Sequence, residues 1–507
     1  MTRRSLVMAA AMSVLLLGWA VPAVAAQAHA DAATAPSATA AVPAVTGPVT
    51  GGQGAIQLQG TSFPLSSVGY EQSEYFLSGT AASYAPVTPL GANGEWQVAP
   101  ATTAPYTTRI VVDRPTNPAK FNGTVIVEWL NDTAGFDTAA EWIAGHDELI
   151  RDGFAWIGVS AQQVGVNALK EADPVRYAAL SHPGDSYSYD IFSQAGQAIR
   201  SDSAQILGGL TPSRLLAAGE SQSAFRLTTY IDAVQPLARV YGGFLVYSRG
   251  GSGAPLSQSP QASVLDPAVV DFRPDLGVPV LDLETETDLF MPESSALPGS
   301  GPYLPAQQAD SAGFRLWETA GTSHADNYIS NIGAADTGSG ATDVAAFNAM
   351  LSPPDTLGGV IPCADPLNTG EEHYVVDAAE YALNLWVATG LPPAEAARLQ
   401  VNAAGTGYVT DANGNVEGGI RTPAVQVPVA TLSGLGNTGS GVAALFCSLV
   451  GTTTPFSAAK LATLYPLHAL FTTEWATATA EDVFAGFIRP ADAVQLVAAA
   501  NASTIGG

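Results

Sequence analysis

Between residues 107 and 321 the chain repeats one pattern: a short, almost unbroken apolar run, then an amphipathic stretch, then another apolar run. "TTRIVVDRP", "GTVIVEWLN", "FAWIGVSAQ", "SRLLAAG", "ARVYGGFLVYS", "PVLDLET" and "FRLWETAG" are rich in β-branched and aromatic residues and bounded by turn formers, so each reads as a strand. "TAAEWIAGHDELIRDG", "YSYDIFSQAGQAIRSD" and "SAFRLTTYIDAV" space their apolar residues as helices do. A strand apolar on both faces must be covered on both faces. Strands of that kind alternating with helices predict an α/β fold with a mostly parallel sheet and helices on either side.

After residue 324 the pattern loosens. "VVDAAEYALNLWVATGLPP" is a helix ending at Gly390 before a proline pair. The regions around it, about 325–372 and 400–460, read as insertions forming a large C-terminal elaboration or cap on one domain spanning 51–507. At the other end, Arg3 and Arg4 precede an apolar run that closes on small residues, "AVA" (Ala23 to Ala25) or "AHA" (Ala28 to Ala30). Residues 1–30 therefore read as a signal peptide, and the protein as secreted and extracellular. Residues 31–50, nearly all Ala, Thr, Pro and Val, read as a disordered lead-in. No other stretch is long and apolar enough to cross a bilayer, so no integral membrane segment is expected in the mature chain. A net charge of −26 from only 13% charged residues argues against nucleic acid and anionic membranes as partners. In an oxidising compartment the two cysteines, Cys363 and Cys447, read as a disulfide. Neither lies in a His or Cys cluster, so no metal is expected, and no cofactor motif is present.

One junction carries chemistry. Gly219-Glu220-Ser221-Gln222-Ser223 lies between an apolar strand and a helix, the context of a nucleophile elbow, with Ser223 where glycine is more usual. A turn there exposes the Ser221 hydroxyl and aims the helix N-terminus at it, so the Gln222 N–H can face a developing oxyanion. A hydroxyl needs a base. Of six histidines, His324 is the candidate, in "ETAGTSHADNY" just after the last apolar strand; His373 in "GEEHYVV" is the rival, and His146, His182 and His468 read as packing or loop residues. The base needs an orienting carboxylate. "VPVLDLETETDLFMP" offers Asp288 in the turn after the strand, with Glu286 as the alternative acid; Asp282 reads as lying inside the strand. A second oxyanion donor is expected after "GTVIVEWLNDTAG", near Asn131 and Asp132, with Trp129 and Phe136 as candidate walls of an acyl pocket.

The order serine, acid, histidine is that of the α/β-hydrolases. The chain resembles the bacterial, often secreted "alpha/beta hydrolase domain" family across residues 65–500, through "GYEQSEYFLSGTA", "KFNGTVIVEWLN", "GFAWIGVSAQQVGV", "GESQSA", "VPVLDLETETD" and "GGIRTPAVQVPVA". The resemblance implies an α/β-hydrolase fold and a serine hydrolase triad; "GGIRTP", with Arg421, marks the family without an evident chemical role. The expected function is a secreted carboxylic ester hydrolase working through an acyl-enzyme on a small or medium ester. The alternatives are an acyltransferase on the same triad, or a non-catalytic secreted binding protein on a hydrolase scaffold.

Overall fold

A computed structural model describes residues 40–294, 297, 299–441 and 443–507. The expected signal peptide, and the lead-in up to residue 39, lie outside the described residues. The strands are β1 (Ala44–Thr46), β2 (Tyr70–Pro86), β3 (Val98–Pro115), β4 (Thr124–Trp129), β5 (Ala155–Val159), β6 (Arg214–Glu220), β7 (Phe244–Tyr247), β8 (Val280–Thr285) and β9 (Phe314–Thr319). They form one nine-stranded sheet in the order β1-β2-β3-β5-β4-β6-β7-β8-β9. From β5 to β9 every pairing is parallel. The parallel block is extended at one edge by the long antiparallel ribbon β2–β3, with β3 antiparallel to β5.

The apolar runs are continuous because both faces are covered. Every residue of β4, β5, β8 and β9 is buried. Successive side chains point to opposite faces. Val127, Ile157, Ala217 and Val246 therefore meet Phe192 and Tyr230 on one side. Their neighbours Ile126, Trp156, Leu216 and Leu245 meet Trp142, Val376 and Leu383 on the other. On that second face the helix Ala140–Arg151 packs along the helix Glu372–Thr389, which ends at Gly390 in the left-handed conformation that needs no Cβ. This helix from the C-terminal third is thus part of the covering layer.

One expectation is corrected here. The lead-in was expected to be disordered through residue 50, but part of it, Ala44–Thr46, is a strand of the sheet. Ala44–Thr46 pairs antiparallel with Phe76–Ser78 of β2, and the Val49 N–H donates to the Glu74 carbonyl. The open edge of β2 supplies backbone partners that a composition-based reading cannot see. The Cys363–Cys447 disulfide is formed, tying the segment Ala443–Ser448 to the hairpin strand Ile361–Pro362. No helix among the described residues is long and apolar enough to cross a membrane.

An interior this large encloses carboxyls. Burial pushes Asp113, Glu286, Asp326 and Glu371 up to about 7, and Asp266 up to about 8. A carboxyl whose folded pKa is raised binds its proton more tightly in the native state. The native state therefore loses stability as pH rises from the unfolded value near 4 to the folded value near 7–8. The melting temperature is expected to fall by about 5–10 °C between pH 5.5 and pH 8. Scanning calorimetry across that range at constant ionic strength checks it, and a flat or rising profile contradicts it.

Candidate active site

β6 runs into Ser221, whose backbone turns to φ 57°, ψ −121° before the helix Gln222–Thr229 begins. A non-glycine residue there is strained, and the surrounding packing holds it: the Ser221 N–H is taken by the Tyr247 carbonyl at 2.9 Å. Strand and helix come so close that a Cβ on Gly219 would stand 3.0 Å from Leu227 Cδ1 and 3.1 Å from Ser223 Cβ. The missing side chain of Gly219 is what admits a serine at 223.

His324 follows β9. Its Nε2 lies 2.7 Å from Ser221 Oγ and its Nδ1 lies 2.6 Å from Asp288 Oδ1. A carboxylate only accepts, so Nδ1 carries the proton and Nε2 is left as the acceptor facing the serine hydroxyl. Asp288 is fixed in turn. Its Oδ2 accepts from the Thr285 N–H at 2.7 Å and the Thr285 hydroxyl at 2.6 Å, in a reciprocal cap on the short helix Glu286–Leu289. The His324 N–H is held by Thr287 Oγ1 at 3.2 Å. Relative exposure is 4% for Ser221, 2% for His324 and nil for Asp288, so the three groups interact in a water-poor environment. Burial pulls the His324 pKa down, but the charges of Asp288 and Glu220 outweigh it and hold the imidazole above its ordinary value.

The alternative acid, Glu286, is not at the histidine. Two residues along a helical turn is about 200° of rotation, which faces it elsewhere. Its Oε1 accepts from the Gly321 N–H at 2.6 Å and its Oε2 from the Gly434 N–H at 2.8 Å, pinning the loop before His324 to the C-terminal elaboration. Asp282 is inside β8 as expected, paired with Arg249 at 3.3 Å and with the Tyr303 hydroxyl at 2.9 Å. The rival base, His373, is stacked on Tyr328 with ring centroids 3.6 Å apart, and burial, then the His146 charge, pushes it down to about 3. His146 and His182 are buried against backbone carbonyls of Trp142, Asp336 and Ala161.

The expected oxyanion donors divide. Gln222 opens the helix, so its N–H has no carbonyl one turn earlier within the helix to bond. Asn131 is a correction. Its N–H is spent on the Thr138 carbonyl at 2.9 Å, because the loop 131–138 closes on itself through that antiparallel bridge. The next N–H, Asp132, faces the Gln222 side chain instead, 3.4 Å from its Oε1. The far end of the loop is anchored by Asp137, which pairs with Arg109 of β3 and accepts from Ser160 Oγ. Trp129 is core, packed on Tyr189 and Phe192 with its indole N–H on Gln162. Phe136 is 45% exposed and borders an open groove of about 770 Å³ with Leu58, Ala168 and Leu169, whose lining includes neither Ser221 nor His324.

Two features of the site escaped the sequence. Glu220, read only as part of the elbow, places Oε1 3.7 Å from His324 Nε2. Its place beside the nucleophile was the available signal. A buried apolar cluster of Phe225, Ala254, Met291, Leu297 and Leu449 packs together segments that carry the triad: Phe225 follows Ser221 by one helical turn, Met291 follows Asp288, and the Leu449 carbonyl accepts from the Ala325 N–H beside His324. Nothing local marks Leu449, which the disulfide-tied segment brings from the far end of the chain. Among the described residues no group of three or more His, Cys, Asp or Glu is placed to hold a metal ion.

A serine at a strand–helix elbow, an imidazole and a carboxylate, all at the carboxyl ends of parallel strands and in that chain order, define the α/β-hydrolase architecture. The chain belongs to the alpha/beta hydrolase domain family, whose sequence profile matches residues 45–498. Solved structures similar to it include an α/β serine hydrolase homologue from Coxiella burnetii, at 11% identity over 43% of this chain and 84% of that one, TM-score 0.26. Another is an α/β serine hydrolase without a lid from Xanthomonas campestris (13% identity, 46% and 83% covered, TM-score 0.25). A comparison with curated proteins gave no match.

Proposed function

We infer that this protein is an exported serine hydrolase that cleaves carboxylic esters through an acyl-enzyme. The observation that carries the reading is the unbroken chain of short contacts from Ser221 Oγ through His324 to Asp288. Ser221 Oγ attacks the ester carbonyl as its proton passes to His324 Nε2, and Asp288 holds the imidazolium that results. The carbonyl oxygen, now negative, is met by the Gln222 N–H and by the Asp132 N–H once the Gln222 side chain yields its place. Collapse breaks the bond to the alcohol, which leaves with the proton from His324. Water then repeats the sequence on the acyl group, giving its proton to His324 and releasing the acid and free Ser221.

Export is supported by the basic, apolar, small-residue order of residues 1–30 and by a disulfide, which persists in an oxidising compartment. The test is twofold. The purified protein is expected to react with a fluorophosphonate probe and to turn over p-nitrophenyl esters, with a preference readable across a panel from acetate to palmitate. No adduct and no turnover on any member removes the reading. N-terminal sequencing of the exported chain is expected to start after Ala25 or Ala30.

A further inference from the structure

His324 Nε2 has two oxygen neighbours, the Ser221 hydroxyl at 2.7 Å and Glu220 Oε1 at 3.7 Å. The other oxygen of that carboxyl accepts from Asn131 Nδ2 at 2.9 Å, and the same amide nitrogen donates to the Glu220 carbonyl at 3.1 Å. Asn131 also fixes its own loop, since its Oδ1 accepts from the Thr133 N–H at 2.8 Å and its N–H closes the bridge to Thr138. A continuous path therefore joins the imidazole, through Glu220 and Asn131, to the loop carrying the Asp132 N–H. We propose that Glu220 is a positioning residue of this site: its carboxylate stabilises the His324 imidazolium during proton transfer and, through Asn131, holds the 131–138 loop in register with it. The proposal rests on the reading of Ser221, His324 and Asp288 as the triad.

The electrostatics follow from the burial. Glu220 is 5% exposed, and among the described residues the group that can offer it a positive charge is His324, which is cationic only when protonated. A buried carboxylate without a counter-charge is unfavourable, so the site gains most when the serine proton reaches Nε2. Other ionisable groups that interact with it are Asp288 from the turn after β8, Glu372 from the helix Glu372–Thr389, and the Tyr247 phenol at the end of β7, with Asp326 from the loop after β9 behind the last two. Those named carboxyls add no positive charge. Burial pushes the Glu220 carboxyl up to about 7, with the His324 charge opposing and Asp288 reinforcing the rise. His324 must be neutral to accept the proton, so activity rises with pH through its pKa. Removing the Glu220 charge lowers that pKa and moves the acid limb to lower pH.

The test is Glu220→Gln, which keeps the shape and can still accept from Asn131. The acid limb of kcat/KM is expected to move down by about one pH unit. kcat is expected to fall roughly ten-fold, with KM nearly unchanged. The NMR titration midpoint of the His324 Nδ1 proton is expected to move in the same direction, without need of turnover. A lowered melting temperature with limb and midpoint in place means a purely structural role and overturns the proposal. Should the amide variant fail to fold, Glu220→Asp draws the charge back by about one carbon–carbon bond length; a smaller shift of the same sign supports the proposal and an unmoved limb overturns it. A wild-type protein that the fluorophosphonate probe does not label fails on the triad reading, whereas labelled protein with an unmoved limb fails on Glu220 alone.

Discussion

Replacing Ser221 with alanine is expected to abolish fluorophosphonate labelling and to lower kcat by about a million-fold, leaving only what orientation and the oxyanion site contribute. The reason is geometric. Among the described residues only Ser221 combines the strained elbow with an imidazole acceptor at 2.7 Å. Alanine removes the oxygen without touching the packing around Gly219 and Ser223, and it relieves none of the backbone strain, so the fold is expected to persist. Ester hydrolysis by purified protein, with labelling read by mass spectrometry, decides the matter. A Ser221→Ala protein that keeps more than about one thousandth of wild-type turnover means that another nucleophile is at work.

The second large effect separates the two acids. Asp288→Asn is expected to cost about ten-thousand-fold in kcat, because an amide that donates to Nδ1 forces the proton onto Nε2 and leaves Ser221 facing a donor. It also strips the charge that holds the imidazole above its ordinary pKa. Glu286→Gln is expected to change kcat by less than about ten-fold. Glu286 binds two backbone N–H groups, of Gly321 and Gly434, rather than the histidine, so its loss is expected to appear as a lower melting temperature. Equal kinetic losses in the two variants contradict the assignment. Steady-state kinetics and thermal unfolding of the same two preparations provide the comparison.

The strands carrying the site were legible because a strand buried on both faces must be apolar at every position, and such runs stand out between amphipathic helices. β4, β5, β8 and β9 lie within the expected runs. Ser221, Asp288 and His324 were legible for a related reason: each follows an apolar strand, and strand ends in a parallel sheet converge on one edge. Asn131 was misassigned because sequence places a turn after β4 without saying which N–H the turn uses, and the bridge to Thr138 uses that one. The flexible reading of residues 44–46 failed similarly, since the partner that orders them is an edge of β2.

By itself the sequence determined the class of fold, the parallel core, the strand–turn–helix at Ser221 and the order of the three reactive groups, because periodicity and chain order are local or sequential properties. The tertiary structure alone decided which of two nearby carboxylates meets His324, that the loop 131–138 spends the Asn131 N–H on itself, that Glu220 reaches the imidazole, and that Leu449 meets the residue after His324. Those outcomes depend on directions and distances of a few ångströms between segments far apart in the chain. Hydrogen bonds and charge interactions change sharply over that range, and a linear pattern carries no record of it.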